Sequence, residues 1–345
     1  MTRWPARDVL RASIIAAVVV FALIGLWYAS TILIFVFLGI LFGLPLTAGV
    51  DRLARWRIPR SMGALILVAA TFAALVGVGA ALAPTLTDQV REIRDRLPEA
   101  GAKVASVLNG RLPSISSQLS SGAAQLARHA LGVLGSTVEL LIYLLLVLFI
   151  AVYLAVDPEL YYQGLLHLVP HPHRERAAEV LGSMAGVMRR WLLTQCVAMV
   201  TIGVLWGIAL AALGVKAALA LAVIAGLLEF VPTIGPTIAA IPAIAIGFLD
   251  SPQKALSVLV VYLVVQGIES NILIPVLMKG QIDLPPALTI VWQALMALAF
   301  GFLGLLVAVP LLAALLVAIK MLYVRDVVGD SVSLGRAAEP DRTTG

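Results

Sequence analysis

The sequence is short of charge. Only 12% of its 345 residues are Asp, Glu, Lys or Arg, against roughly 25% in soluble domains. Hydrophobic residues make up 61% and the mean hydropathy is +1.03, so too little polar surface is present to cover a water-soluble body. Cysteine is almost absent. Cys196 stands alone in an apolar run, which excludes an intramolecular disulfide. Histidine is missing from every apolar run, since His129, His167, His171 and His173 all fall in connectors. The spacing in HLVPHPHRER invites a metal, but Pro170 and Pro172 leave these side chains on an irregular loop without a clear fourth ligand. The chain has no HExxH, no pair of aspartates within apolar runs, no GxGxxG and no GxxxxGK[ST]. An enzyme and a built-in nucleotide engine are therefore not expected, and neither is a cofactor. The net charge of +5 arises from basic loops beside apolar runs, as the positive-inside rule describes, and does not call for a nucleic-acid partner.

What is present is grease, in runs near 12–29, 31–49, 61–83, 136–156, 191–213, 217–249, 255–277 and 287–322. Several approach or exceed the roughly 18–20 residues that cross about 30 Å of hydrocarbon. The reading is an all-α polytopic membrane protein with about eight membrane segments. The first run has a basic front, as a signal peptide has. Its apolar core is long, no small-x-small cleavage site follows, and the next run begins at once, so it reads as an uncleaved span. Arg52, Arg55, Arg57 and Arg60 place the 51–60 loop in the cytoplasm, and an uncharged turn near Ser30 outside puts the N-terminus inside.

Five regions follow: three N-terminal spans over 1–83, an amphipathic helical insertion outside the cytoplasm over 84–135, a fourth span and cytoplasmic connector over 136–190, a core over 191–325, and a disordered cytoplasmic tail over 326–345. The insertion should form a few surface helices, some lying on the bilayer.

Within the core, two runs do not fit plain spans. Residues 287–322 would extend about 54 Å as one helix and carry a natural break at Gly301-Phe-Leu-Gly304. Residues 217–249 break at Pro232-Thr-Ile-Gly-Pro236, leaving halves of about 22 Å. Helical hairpins that enter and return to the same side fit better. Their freed backbone groups must be buried in protein or line a polar cavity, because lipid cannot hydrogen-bond them. Each hairpin follows a span, the two spans run in opposite directions, and Pro242 and Pro310 hold similar places after the breaks. That order is the inverted-repeat logic of secondary transporters.

Few polar side chains lie inside these runs. Glu229 stands just before the first break, and Gln266, Glu269 and Asn271 lie in VVYLVVQGIESNILIPVLMKG, with Gln266 and Glu269 on one helix face. A carboxylate at membrane depth is costly and marks a functional site by default. The competing reading is a structural clamp, with Glu269 near the headgroups or paired to Lys279 or Arg190. GILFG (39–43) and GVLWG (203–207) match small-xxx-small signatures of close helix contact.

EFVPTIGPTIAAIPA, QGIESNILIPVLMKGQIDLPP and FGFLGLLVAVPLLAALL together resemble the autoinducer-2 exporter family of bacterial membrane permeases. The likeness is sharpest over 190–322 and generic over 1–85. It implies an oligomeric multi-pass transporter of the bacterial inner membrane, with motif positions Pro232, Gly235, Pro236, Gln266, Glu269, Asn271, Pro275, Gly301, Gly304 and Pro310. Family members are associated with export of a signal molecule or with sodium/proton antiport, so the likeness implies no single substrate. The sequence departs from the family at Asp283-Leu-Pro285-Pro286, where a Leu-His-Pro-like turn is usual.

The expected function is secondary transport, as an exporter, of a small polar solute or signal molecule by alternating access and driven by an ion gradient. Glu229, Gln266, Glu269 and Asn271 would bind substrate or ion. Pro232, Gly235, Pro236, Pro275, Gly301, Gly304 and Pro310 would form elbows and gates. The expected partners are the lipid bilayer, a small molecule or ion, and further copies of the chain. A channel of the same fold and a scaffold without transport activity remain as rivals.

Overall fold

The computed structural model describes residues 6–109, 137–278 and 284–331. Among them every regular element is helical. Five helices are long and apolar enough to cross a membrane, six if the bent pair at 142–167 counts as one span, beside two shorter apolar helices. Residues 110–135 of the insertion, the Lys279 and Asp283 positions and most of the tail lie outside the described residues.

The first two apolar runs are not two spans. Helix α1 (Ala6–Ala54) is continuous for 49 residues, about 73 Å, and the turn foreseen near Ser30 does not exist. Nothing there can break a helix: Ser30 is flanked by Ala29 and Thr31, with neither proline nor a glycine pair. The inside placement of the N-terminus loses its basis with that turn. Helix α2 (Arg60–Asn109) likewise carries the third apolar run straight into the insertion as one 50-residue rod.

Helix α3 (Thr137–Val156) ends where Pro158 removes a donor. Asp157 accepts from the Leu160 N–H at 3.2 Å to start α4 (Pro158–His167), which turns away by 90°. Helix α3 lies against α1, whose Gly39 and Gly43 let Ile150 and Ala151 approach. The rings of Phe35 and Tyr143 stack at 4.2 Å across the same contact.

Helix α5 (Arg174–Ala212) joins the foreseen connector to the foreseen span without interruption. Its C-terminal half packs through Trp206 and Leu210 on α6 (Ala218–Leu228), α7 (Ile234–Asp250) and α8 (Pro252–Ile268). There Gly203 and Gly226 bring two backbones together, as the GVLWG signature implies. Its N-terminal half packs through Met188, Trp191 and Leu192 on α1 and on α10 (Pro286–Ile319), which follows the one-turn α9 (Ile274–Leu277) in the chain.

Both broken runs are hairpins. Helices α6 and α7 have 11 and 17 residues, about 17 and 26 Å. Their far ends are clasped by Lys254, whose Nζ reaches the Gly214 carbonyl at 2.8 Å and Asp250 at 2.7 Å. Helix α10 folds back at Gly301 (φ 62°, ψ −143°), a conformation open essentially only to glycine. Trp292 on its first leg donates to the Ala308 carbonyl on its second at 2.9 Å.

Residues 326–328, at the start of the expected tail, are helical. The last helix runs on as a wide turn through Val328, and Arg176 holds it there. The guanidinium donates to both Asp326 oxygens, at 2.8 and 2.9 Å, and to the Met321 carbonyl at 2.7 Å. Arg176 and Arg325 also share Glu179.

Candidate functional site

The elbow between α6 and α7 spans residues 229–233 and is strained. Thr233 has φ 73° and ψ −50°, with the Ile234 N–H bonded to the Pro232 carbonyl at 2.8 Å. This is the rare γ-turn, in a region a β-branched residue avoids, and it costs on the order of 1–3 kcal/mol. Gly235 makes the fold-back feasible. A Cβ there would stand 1.8 Å from the Leu228 carbonyl oxygen, and one on Gly304 would stand 2.1 Å from that of Met296. The two hairpins thus close by one device, a glycine seated on a carbonyl of the opposite leg. Pro236 and Pro310 are buried beside these closures.

Glu229 sits at the elbow and is fully buried, and Glu269 is 5% exposed. Their carboxylates face each other. The backbone places Glu269 by a wide turn. Pro275 lacks the N–H that would bond back to Asn271, so the helix loosens over Glu269–Leu273, and the Ile274 N–H reaches the Glu269 carbonyl five residues earlier. Gln266 Nε2 donates to Glu269 Oε2 at 3.0 Å. Arg190, a candidate clamp for Glu269, is exposed, and Lys279 lies outside the described residues.

Asn271 does not join them. Its side chain is exposed and donates to the Gly267 carbonyl of its own helix at 2.9 Å. Pro275 and Gly301 are also exposed, acting through the backbone. Pro232 contributes its carbonyl, which accepts from Gln293 Nε2 at 3.1 Å.

Gln293 and Gln195 are the residues that sequence reasoning passed over. Both are fully buried. Gln195, on α5, donates to the Glu229 carbonyl, and Trp191 one turn earlier meets Phe230 edge-on at 5.7 Å. Two amides from two other helices therefore pin the elbow backbone. Their signal was a polar amide inside an apolar run, the same signal that singled out Gln266, without a charge to draw attention. Four buried oxygens near this elbow lack a donor among the described residues: both of Glu229 and the amide oxygens of Gln195 and Gln293. The Trp191 indole N–H lacks an acceptor among the described residues. Among the described residues no three His, Cys, Asp or Glu cluster as a metal-binding group.

An elbow rich in buried acceptors, where the second hairpin meets the first, suits a cationic or donor-rich solute. Comparison with known proteins agrees in class. The chain is 26% identical over 326 residues to the AI-2 transport protein TqsA of Escherichia coli (strain K12), covering 90% of this chain and 92% of TqsA. It is 25% identical over 307 residues to YueF of Bacillus subtilis (strain 168), covering 81% of this chain and 83% of YueF. The family described as AI-2E family transporter matches residues 16–323. With that match over most of its length, this chain, a multi-pass bacterial membrane transport protein, belongs to the AI-2E transporter family.

Proposed function

We propose that the protein is an inner-membrane secondary transporter, working as an exporter of a small polar solute. The Glu229–Glu269 pair carries the coupling ion while the two hairpins alternate access to it. One observation carries this reading: two buried carboxylates face each other with no donor on Glu229 among the described residues. Two unit charges about 4 Å apart repel by roughly 4 kcal/mol at an effective dielectric of 20. The pair is therefore stable only when something positive binds, and its load differs between states that open to different pH or salt.

The strained γ-turn at Thr233 and the shared glycine closures support elbows that move as units, and they support the inverted repeat. TqsA is named for transport of AI-2, and a polar signal molecule of that kind is the substrate class proposed here. With 51–60 in the cytoplasm, the 191–213 span runs outward and the C-terminus lies inside. A single crossing by α1 would put the N-terminus outside. The resemblance favours several copies in the working unit.

The test is flux from vesicles of purified protein under imposed proton or sodium gradients, wild type against Glu269→Gln. The expected result is gradient-driven, saturable flux that the substitution reduces at least tenfold, about 1.4 kcal/mol. Equal flux in both would overturn the assignment. Ohmic single-channel current would identify a channel, and no flux with intact fold a scaffold.

A further inference from the structure

Sequence and family likeness pointed to the glutamates. Only the tertiary structure brings Gln195 of α5 and Gln293 of α10 to the same elbow, from positions 98 residues apart in the chain. Each amide spends its nitrogen on an elbow carbonyl, Gln195 on that of Glu229 and Gln293 on that of Pro232. The nitrogen bonds leave the oxygen end of each amide free to accept. Both side chains are 0% exposed, and neither oxygen has a donor among the described residues.

We propose that Gln195 and Gln293 are ligands, completing with Glu229 and Glu269 an all-oxygen site for a small hard cation that competes with protons. The proposal rests on the transport reading above and gives it a ligand class. Two carboxyl protons at most supply two donors, whereas four oxygens await one. A single cation satisfies several oxygens at once. The donor set carries no histidine and no thiolate, which disfavours zinc and copper and suits the alkali and alkaline-earth ions.

The helices packed round the elbow bring no competing cation. Helix α10 has no ionisable residue from 286 to 319, and α6 has none. Helix α1 contributes only Tyr28 between Arg11 and Asp51. On α8, Tyr262 is bonded to Thr237, and Lys254 is held at the far end by Asp250. On α5, Arg189, Arg190 and Cys196 are exposed. The pair therefore answers to the ion and to pH, with no ammonium or guanidinium beside it among the described residues.

The test is thermal unfolding of the purified full chain in detergent, with sodium, calcium or choline chloride at matched ionic strength, from about pH 6 to pH 9. Choline, too large for the site, is the control. Sodium or calcium should raise Tm where choline does not, and the midpoint concentration should rise as pH falls. The midpoint should rise about tenfold or more in Gln195→Met or Gln293→Met. In Gln293→Glu, which keeps an oxygen and gives up the nitrogen that holds Pro232, the response should persist. Loss in Gln293→Glu equal to that in Gln293→Met would reduce Gln293 to a positioning residue and overturn the proposal. So would a wild-type response no larger than choline's, or one unchanged by pH, and both readings need no variant to fold. If proton-driven flux still depends on Glu269 while no metal cation shifts Tm, the pair carries protons alone. The transport reading then stands and the cation site does not.

Discussion

Gln293, on the first leg of the second hairpin, donates its amide to the carbonyl of Pro232 at the elbow of the first, at 3.1 Å. This bond joins the two broken hairpins, from a fully buried Gln293 to a half-buried Pro232. Gln293→Leu removes this donor and leaves the Pro232 carbonyl with the Ile234 N–H alone, a loss of about 0.5–1.5 kcal/mol. Thermal unfolding in detergent should show the loss. A Tm unchanged from wild type would mean that the elbow is held without it.

Gly235→Ala should be among the most damaging small substitutions in the chain. The new methyl would stand 1.8 Å from the Leu228 carbonyl oxygen, so the hairpin must open. A cost of about 3 kcal/mol or more is expected, as for severe overpacking. Gly77→Ala is the control, since nothing lies within 4 Å of its Cβ position. Monodisperse yield on size exclusion should fall for the first and hold for the second.

The start of the first hairpin lacks a cap of its own. Ala217 precedes α6 with no side chain to offer, and Gln89 of α2 accepts from the Ala220 N–H at 2.8 Å instead. Gln89→Ala should cost about 0.5–2 kcal/mol, the range for a lost cap. Amide exchange at Ala220 should accelerate by the corresponding factor while amides of α5 keep theirs.

Asp250 and Lys254 clasp the legs at the rim. The hydrogen bond from Lys254, working against partial burial, holds the Asp250 carboxyl below its ordinary value. A depressed folded value means stability that is present above the unfolded pKa, near 3.9, and lost as pH falls through the folded one. Asp250→Asn should lower Tm at neutral pH by an amount equivalent to about 0.3–0.5 kcal/mol. The gap should close in acid below about pH 4. A gap that widened in acid would contradict the sign.

Arg176→Ala should release the last helix. It removes both bonds to Asp326 and the one to the Met321 carbonyl. Paired with Asp326→Asn in a double-mutant cycle, it should show coupling of about 0.5–3 kcal/mol, as for residues sharing one network. Coupling near zero would assign the contact to the solvated surface.

The sequence by itself determined that this protein is helical and lies in a membrane, because 61% apolar residues in long runs admit no other solvent. It also located both hairpin breaks. Proline lacks a donor and glycine tolerates forbidden dihedrals wherever they stand, so Pro232, Gly235, Gly301 and Gly304 can be read locally. Glu229 and Glu269 were legible for a similar reason, as charges in grease. The turn near Ser30 failed because apolar length tells how much chain can be buried and not where a helix stops. The continuity of α2 and α5 past their apolar halves escaped for the same reason. What only the tertiary structure decided is partnership. Nothing in the sequence links Gln195 to the carbonyl of Glu229, or Gln293 to that of Pro232, since a hydrogen bond depends on a few tenths of an ångström between helices distant in the chain. It also turned the amide of Asn271 back to its own helix. A lone polar residue in an apolar run announces that it must be satisfied. Packing alone chooses by what.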